Sequence, residues 1–444
     1  MIDNPEFRRN LWLELTPHRL VATPVILLLL LTLLVTRGED TWRGSVATAA
    51  AVIFTIFTIL WGGRRAYEAI VDEVRERTWD TQRMSALSPW EMTCGKLLGS
   101  TLFNWYIGAY CLLALVVSFD DTARLYLHGW SALETGLLLI LAALFVHGSG
   151  LLSGLTAIKS GSGFKSSRNI PVAFLGVILL LALGRTVLQQ AGSTIDWYGI
   201  SWDGKPFVVA SLAAFTAWVC LGAHRVMSDV LAVRSMPWAA LAFVIFATAY
   251  LCGFIADAAW NYESRFAAIG SLVGGTAVYI EAWKERRDWI AVQRFLRAWR
   301  EDPPLSALTA TPDWLVVALF TLLVSLTTSL LPSNHPYFPG LSRNVLDMLT
   351  LSPTVLTLLM FRDIGLLYYF SLGSRPDRAT SATLLYLVVL YVVLPSLLNL
   401  GGMGFLAFPA VLPVEHGSSW AGVIVAAGHV AVVLALLRRR LQKF

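Results

Sequence analysis

Apolar runs of bilayer length recur along almost the whole chain, and that recurrence leaves few folds open to it. Runs of roughly 17 to 26 residues match what a helix needs to cross a hydrocarbon core. They fall at about 20–36, 44–62, 97–119, 132–157, 170–188, 206–223, 237–256, 266–283, 314–331, 345–361, 382–400 and 418–437. A hydrophobic fraction of 56% against 14% charged residues, with mean hydropathy +0.63, lies outside the soluble range. The expectation is an all-α polytopic transmembrane protein of about twelve spans, arranged as two six-helix halves over 1–230 and 231–444. Each half repeats one rhythm, a short outer loop, a long charged inner loop and four more spans, and duplicated halves are a frequent transporter plan.

Lysine and arginine orient the map, because cytoplasmic loops hold the excess of positive charge. With the N-terminus inside, 27 of the 34 basic residues fall in inner segments, six in outer loops, and Arg185 within a span. Both termini are then cytoplasmic, in a multi-pass protein of the plasma membrane, for a bacterium the inner membrane. The net charge of +5 follows from this topology and does not describe a nucleic-acid surface. No A-x-A-like site follows the first apolar run before Arg37, so the run reads as a retained span. Cys94, Cys111, Cys220 and Cys252 lack paired spacing and suggest neither a disulfide framework nor a metal site.

Between 63 and 96 the chain suspends its apolar character. Arg64 to Arg83 carries five arginines and five acids, with Tyr67, Ile70, Val71, Val74 and Thr78 recurring at three and four residues. Glu73 is placed to reach Arg77 one turn on, which predicts an amphipathic helix. Leu87-Ser88-Pro89-Trp90-Glu91-Met92 then reads as a helix start: Ser88 caps, Pro89 takes the first position, Glu91 completes a capping box, and Leu87 staples onto Met92. The helix begun there is expected to run past Lys96 to about residue 119, so that a push on the insert passes into the membrane. The loop 284–313 occupies the same place in the second half.

ERTWDTQRMSALSPWEMTCGKLLGS resembles the cytoplasmic segment of the ATP-binding-cassette (ABC) type-2 permease family, at Glu76, Arg77, Thr81, Leu87, Ser88, Glu91, Met92, Gly95 and Lys96. Asn4-Pro5-Glu6-Phe7-Arg8-Arg9 is similar to the short elbow helix that precedes the first span in that family. The resemblance implies the membrane subunit of an exporter without a fused ATPase. Its partner would be an ABC ATPase subunit at the cytoplasmic face that binds ATP and Mg, with no cofactor in this chain. It also admits a homodimer or a second permease subunit. Arg75, Glu76, Arg77, Asp80, Ser88, Glu91 and Lys96 become the candidates for ATPase contact and coupling.

Polar groups at lipid depth are functional candidates by default, and Asn104, His147, Arg185 and His429 are taken as substrate-path candidates. Each also has a structural reading, since such groups bond across helices or snorkel. Gly150 and Gly154, one turn apart, fit close helix packing. Trp42, Trp130, Trp202, Trp238, Trp260 and Trp314 fall near span ends, as interfacial anchors do. No H-E-x-x-H, G-x-S-x-G or Walker A pattern occurs, which leaves a membrane enzyme as a minor alternative. An ion-coupled secondary transporter is the stronger rival, but it needs a carboxylate near the bilayer midplane, and none of the twelve expected spans contains one.

Overall fold

The computed structural model describes residues 4–37, 42–85, 87–127, 129–159, 194–233, 238–254, 262–285, 287, 289–330, 353–373, 375–401 and 420–442. Apart from turns and short connections, these residues are helical, with one two-stranded hairpin, β1 (Thr194–Trp197) and β2 (Ile200–Asp203), so the all-α expectation holds. They divide into two compact units, Met1–Asp196 with Ile200–Ser235, and Trp197–Gly199 with Met236–Phe444.

In the first unit the helices are α1 (Pro5–Glu14), α2 (Pro17–Arg37), α3 (Trp42–Arg75), α4 (Trp79–Arg83), α5 (Pro89–Gly99), α6 (Leu102–Val117), α7 (Asp121–Tyr126), α8 (Ala132–Lys159) and α9 (Gly204–Val230). The 34-residue α3 runs without interruption from an apolar stretch into the charged insert, through a π-helical segment at Phe54–Trp61. It packs along α8, where the backbones come close enough that a side chain on Gly150 would meet the Gly63 carbonyl at 2.3 Å. Small residues allow that approach. One apolar cluster gathers Phe54, Ile107, Ala143 and Val146, and another gathers Ile70, Trp79, Met92, Leu151 and Met227.

In the second unit α10 (Ala239–Cys252), α11 (Tyr262–Lys284), α12 (Trp289–Glu301), α13 (Pro304–Thr309), α14 (Asp313–Leu330), α15 (Pro353–Ser371), α16 (Ala379–Leu398) and α17 (Trp420–Leu441) follow in order. Val244, Val278, Val317, Met360 and Ile364 form its main core. α15 lies at its centre, packed against α11, α14, α16 and α17.

Five helices are long and apolar enough to cross a membrane, α3, α8, α9, α15 and α16, and seven if two bent pairs each count as one span. The described residues therefore give five to seven spans where twelve were expected; the run at 170–188 lies outside them. The bent pairs are α1 with α2, at 62°, and α5 with α6, at 52°. The second corrects the expectation of one continuous helix from 88 to 119. At the bend Ser100 Oγ donates to the Lys96 carbonyl at 2.6 Å and Thr101 Oγ1 to the Leu97 carbonyl at 2.8 Å. Such back-bonding draws carbonyls off the helical ladder and bends helices. Trp130, just before α8, is 1% exposed, with the Lys205 ammonium 5.8 Å from its ring centre.

Candidate functional site

A buried polar constellation of the first unit forms where α1, α3, α4 and α5 meet. Asn4 caps α1, its Oδ1 accepting from the amides of Glu6 at 2.9 Å and Phe7 at 3.2 Å, while its Nδ2 donates to the Glu91 carbonyl at 2.7 Å. The cap thus fastens α1 to α5 as well as starting it. On α5 the docking face is Gly95 and Gly99: a Cβ on Gly95 would stand 2.7 Å from Glu6 Cβ, and one on Gly99 2.9 Å from Asn10 Cβ. Only glycine allows the helices to lie this close.

Lys96, between those glycines, is 1% exposed. Its ammonium donates to Glu6 Oε1 at 3.0 Å, to Gln82 Oε1 at 2.9 Å and to Glu73 Oε2, using all three N–H groups. Arg9 bridges the same two carboxylates, and Gln82 Nε2 donates to Glu73 Oε1 at 2.6 Å. The Lys96 ammonium lies 5.8 Å from the centre of the buried Trp79 ring. Two carboxylates and two cations balance, which is what makes burial of Glu6, Glu73 and Lys96 tolerable, with Arg9 at the partly exposed edge. A second junction, Glu14 with Arg19 and Arg65, ties the end of α1 to α2 and α3.

This arrangement corrects the proposed Glu73–Arg77 pair. Glu73 turns inward to Lys96, and α3 ends instead of continuing. Arg77 takes φ +60°, with its amide on the Val74 carbonyl at 3.2 Å and the Thr78 amide on the Glu73 carbonyl at 2.9 Å. These are the two bonds of a Schellman motif, whose left-handed position usually falls to glycine. The turn presents Arg75, Glu76, Arg77 and Asp80 outward, with Arg75 3.4 Å from Asp72.

The capping box at the start of α5 is complete. Ser88 Oγ accepts from the Glu91 amide at 3.2 Å, and Glu91 Oε2 accepts from the Ser88 amide at 2.9 Å and hydroxyl at 2.8 Å. The Ser88 backbone amide, then its hydroxyl, hold the exposed Glu91 carboxyl below its ordinary value. Of the coupling candidates, Glu76, Arg77, Asp80, Ser88 and Glu91 are exposed and within one stretch of surface chain, whereas Lys96 is internal.

The substrate-path candidates separate. Asn104 Nδ2 donates to the Phe57 carbonyl at 2.6 Å, and His147 Nε2 lies 2.7 Å from the Thr58 carbonyl. Both carbonyls belong to the π-helical segment of α3. A carbonyl partner requires the proton on Nε2, so both side chains serve backbone groups that the π-turn displaces. Arg185 lies outside the described residues. His429, on α17, stands with Nδ1 3.5 Å from Nη1 of Arg362.

The sequence map ends a span at about residue 361 but leaves open one longer helix over 345–373, and the structure runs Pro353–Ser371 through Arg362 and Asp363. What the sequence does not indicate is the burial of that pair beside His429. Arg362 and Asp363 stand at the middle of the 19-residue α15, 2% and 1% exposed. Asp363 accepts from Arg362 Nε at 2.8 Å, Tyr279 at 2.7 Å and Tyr391 at 2.8 Å. Apolar sequence on both sides of the pair was the signal available. Among the described residues no group of three or more His, Cys, Asp or Glu side chains is arranged to hold a metal.

Compared with protein-family models, with curated proteins and with solved structures, the chain has no match.

Proposed function

We propose that this chain is the membrane-embedded permease subunit of a transporter of the ABC type-2 kind, energised by a separately encoded ATPase that binds ATP and Mg. The observation that carries the reading is the Lys96 junction. It fastens the exposed turn at Arg75–Asp80, the capped start of α5 and the N-terminal helix to one another at the foot of the apolar helices. A partner pressing on Glu76, Arg77, Asp80, Ser88 or Glu91 would move these elements together, with Lys96 transmitting the motion from inside. In this reading the insert and both termini face the cytoplasm, the host membrane is the plasma membrane, and a second permease copy or subunit completes the pathway. The bend between α5 and α6 then acts as the joint at which the insert meets the membrane.

The test is purification of the intact chain from its native membrane. The reading expects no ATP hydrolysis by the chain alone and co-purification of an ATPase subunit, lost or uncoupled in Glu76→Lys and Glu91→Lys while membrane insertion is kept. Absence of any ATP-hydrolysing partner in native membranes would overturn it.

An ion-coupled carrier is the second reading, and Asp363 within α15 favours it, since that helix has the length and apolarity of a span. Transport driven by a proton or sodium gradient in ATP-free vesicles would select it.

A further inference from the structure

We propose that Arg362, with His429 beside it, forms a binding site for a carboxylate or phosphate group within the second unit. An inventory of donors and acceptors decides between anion and cation. Asp363 Oδ2 already accepts from both tyrosine hydroxyls, and Oδ1 from Arg362 Nε. Nη2 of Arg362 stands 2.7 Å from the same Oδ1. Three hydrogen bonds and an adjacent cation thus already engage the carboxylate and leave it a poorer receptor for a further cation than the guanidinium is for an anion. The guanidinium is the group with capacity to spare. Nη2 lies near Oδ1 without the alignment of a hydrogen bond and has no hydrogen-bond partner, while Nη1 makes only the 3.5 Å approach to His429. Its face is packed by Tyr391 at 4.7 Å, which fixes the plane in which its fork points. A fixed, buried guanidinium with unused N–H groups selects a planar or tetrahedral oxyanion.

An anion would approach from the α17 side. His429 is only partly buried, and a side chain on the preceding Gly428 would meet nothing within 4 Å. Arg362 and Asp363 together are neutral, so an arriving anion leaves one net negative charge unless a proton comes with it. The groups facing Arg362 are Asp363 on its own helix, Tyr279 from α11, Tyr391 from α16 and His429 from α17. Of the other elements packed on α15, α14 brings Trp314 to Tyr368, six residues further on, and the short 3₁₀ turn Pro376–Arg378 follows the helix's C-terminal end. His429 is the imidazole among these, and it stands on the open side. Binding is therefore expected to carry a proton to His429 and to tighten as pH falls.

The site goes beyond the energy source and is tested without it. The full chain, reconstituted in phosphatidylcholine nanodiscs, is titrated by calorimetry at constant ionic strength with inorganic phosphate and with acetate. In a second arm, nanodiscs containing phosphatidylglycerol are examined for retained lipid by native mass spectrometry. Saturable binding in the first arm assigns a soluble anion; retention confined to the second assigns a lipid headgroup. In either arm Arg362→Gln/Asp363→Asn, which keeps the site neutral, should weaken binding roughly tenfold to a hundredfold, the worth of one or two charge-assisted hydrogen bonds. Should that variant not be recovered folded, His429→Leu leaves the ion pair intact and should weaken binding in the same direction. The proposal is overturned if the wild type binds none of the three probes, or if the recovered variant binds as tightly as the wild type.

Discussion

Replacing Lys96 by methionine tests the physics of the first unit most sharply. The side chain is 1% exposed and holds Glu6, Glu73 and Gln82 at once. Methionine preserves the apolar stem and removes the charge, leaving two buried carboxylates to Arg9, whose side chain is 41% exposed. Removing one partner of a buried ion pair costs about 3–5 kcal/mol. Arg9 remains in contact with both acids, so the lower end applies, about 3 kcal/mol. The loss falls on the docking of α1, which Lys96 joins to α3 and α5. At about 1.4 kcal/mol per tenfold, amide hydrogen exchange over Pro5–Glu14 should accelerate roughly a hundredfold. Lys96→Met/Glu73→Gln restores neutrality, with Glu6 facing Arg9 alone, and should return exchange to within about tenfold of wild type by the same scale. If Lys96→Met exchanges within about threefold of wild type, or the double variant is as fast as the single, charge balance is not what seats the helix.

Three further outcomes follow. Arg77→Gly relieves a left-handed non-glycine residue and should raise local stability by about 1 kcal/mol, while lowering the yield of co-purified ATPase; unchanged co-purification would remove Arg77 from the contact. Because the Glu91 pKa is depressed, its half of the capping box stabilises the folded state above the ordinary carboxylate value of about 4.3 and is lost as pH falls through the lower folded value. Exchange of the Ser88 and Glu91 amides should therefore rise at acid pH in a way that Glu91→Gln abolishes, and an unchanged profile in that variant would assign the rise elsewhere. Asn104→Leu leaves the Phe57 carbonyl without its side-chain donor and should cost about 1–3 kcal/mol in thermal unfolding in detergent; a loss below about 0.5 kcal/mol would show that the π-turn needs no such support.

The sequence made local chemistry legible and tertiary choice much less so. Ser88-Pro89-x-Glu91 and Asn4-Pro5 announce helix starts because capping is decided within four residues, and the structure has both caps. Long apolar runs announced helices for the same reason. Whether a charged residue faces in or out is not local. Lys96 follows a charged insert and carries the look of a solvent position, yet Gly95 and Gly99 let α1 close over it. Glu73 had Arg77 within reach on its own chain segment, yet Lys96 and Arg9, brought up by other helices, hold it instead. Arg362-Asp363 depressed the hydropathy of its window and so was placed outside a span, although α15 carries the pair at its middle. The bend after Gly99 rests on two hydroxyls that are common in straight helices as well. Asn104 and His147 are conspicuous in sequence for their polarity, and in the structure that polarity is directed to π-turn carbonyls.

The account stands or falls on whether the turn after α3 meets an ATPase from the cytoplasm. A photo-crosslinking amino acid placed at Glu76 in cells, with one at Trp12 as the control on the exposed face of α1, measures this directly. The account predicts an adduct at residue 76, absent at residue 12, with a protein that hydrolyses ATP, and protection of a Glu76→Cys variant from impermeant thiol reagents in intact cells. Labelling of that cysteine from outside, or a residue-76 adduct profile that contains no ATP-hydrolysing protein, would contradict it.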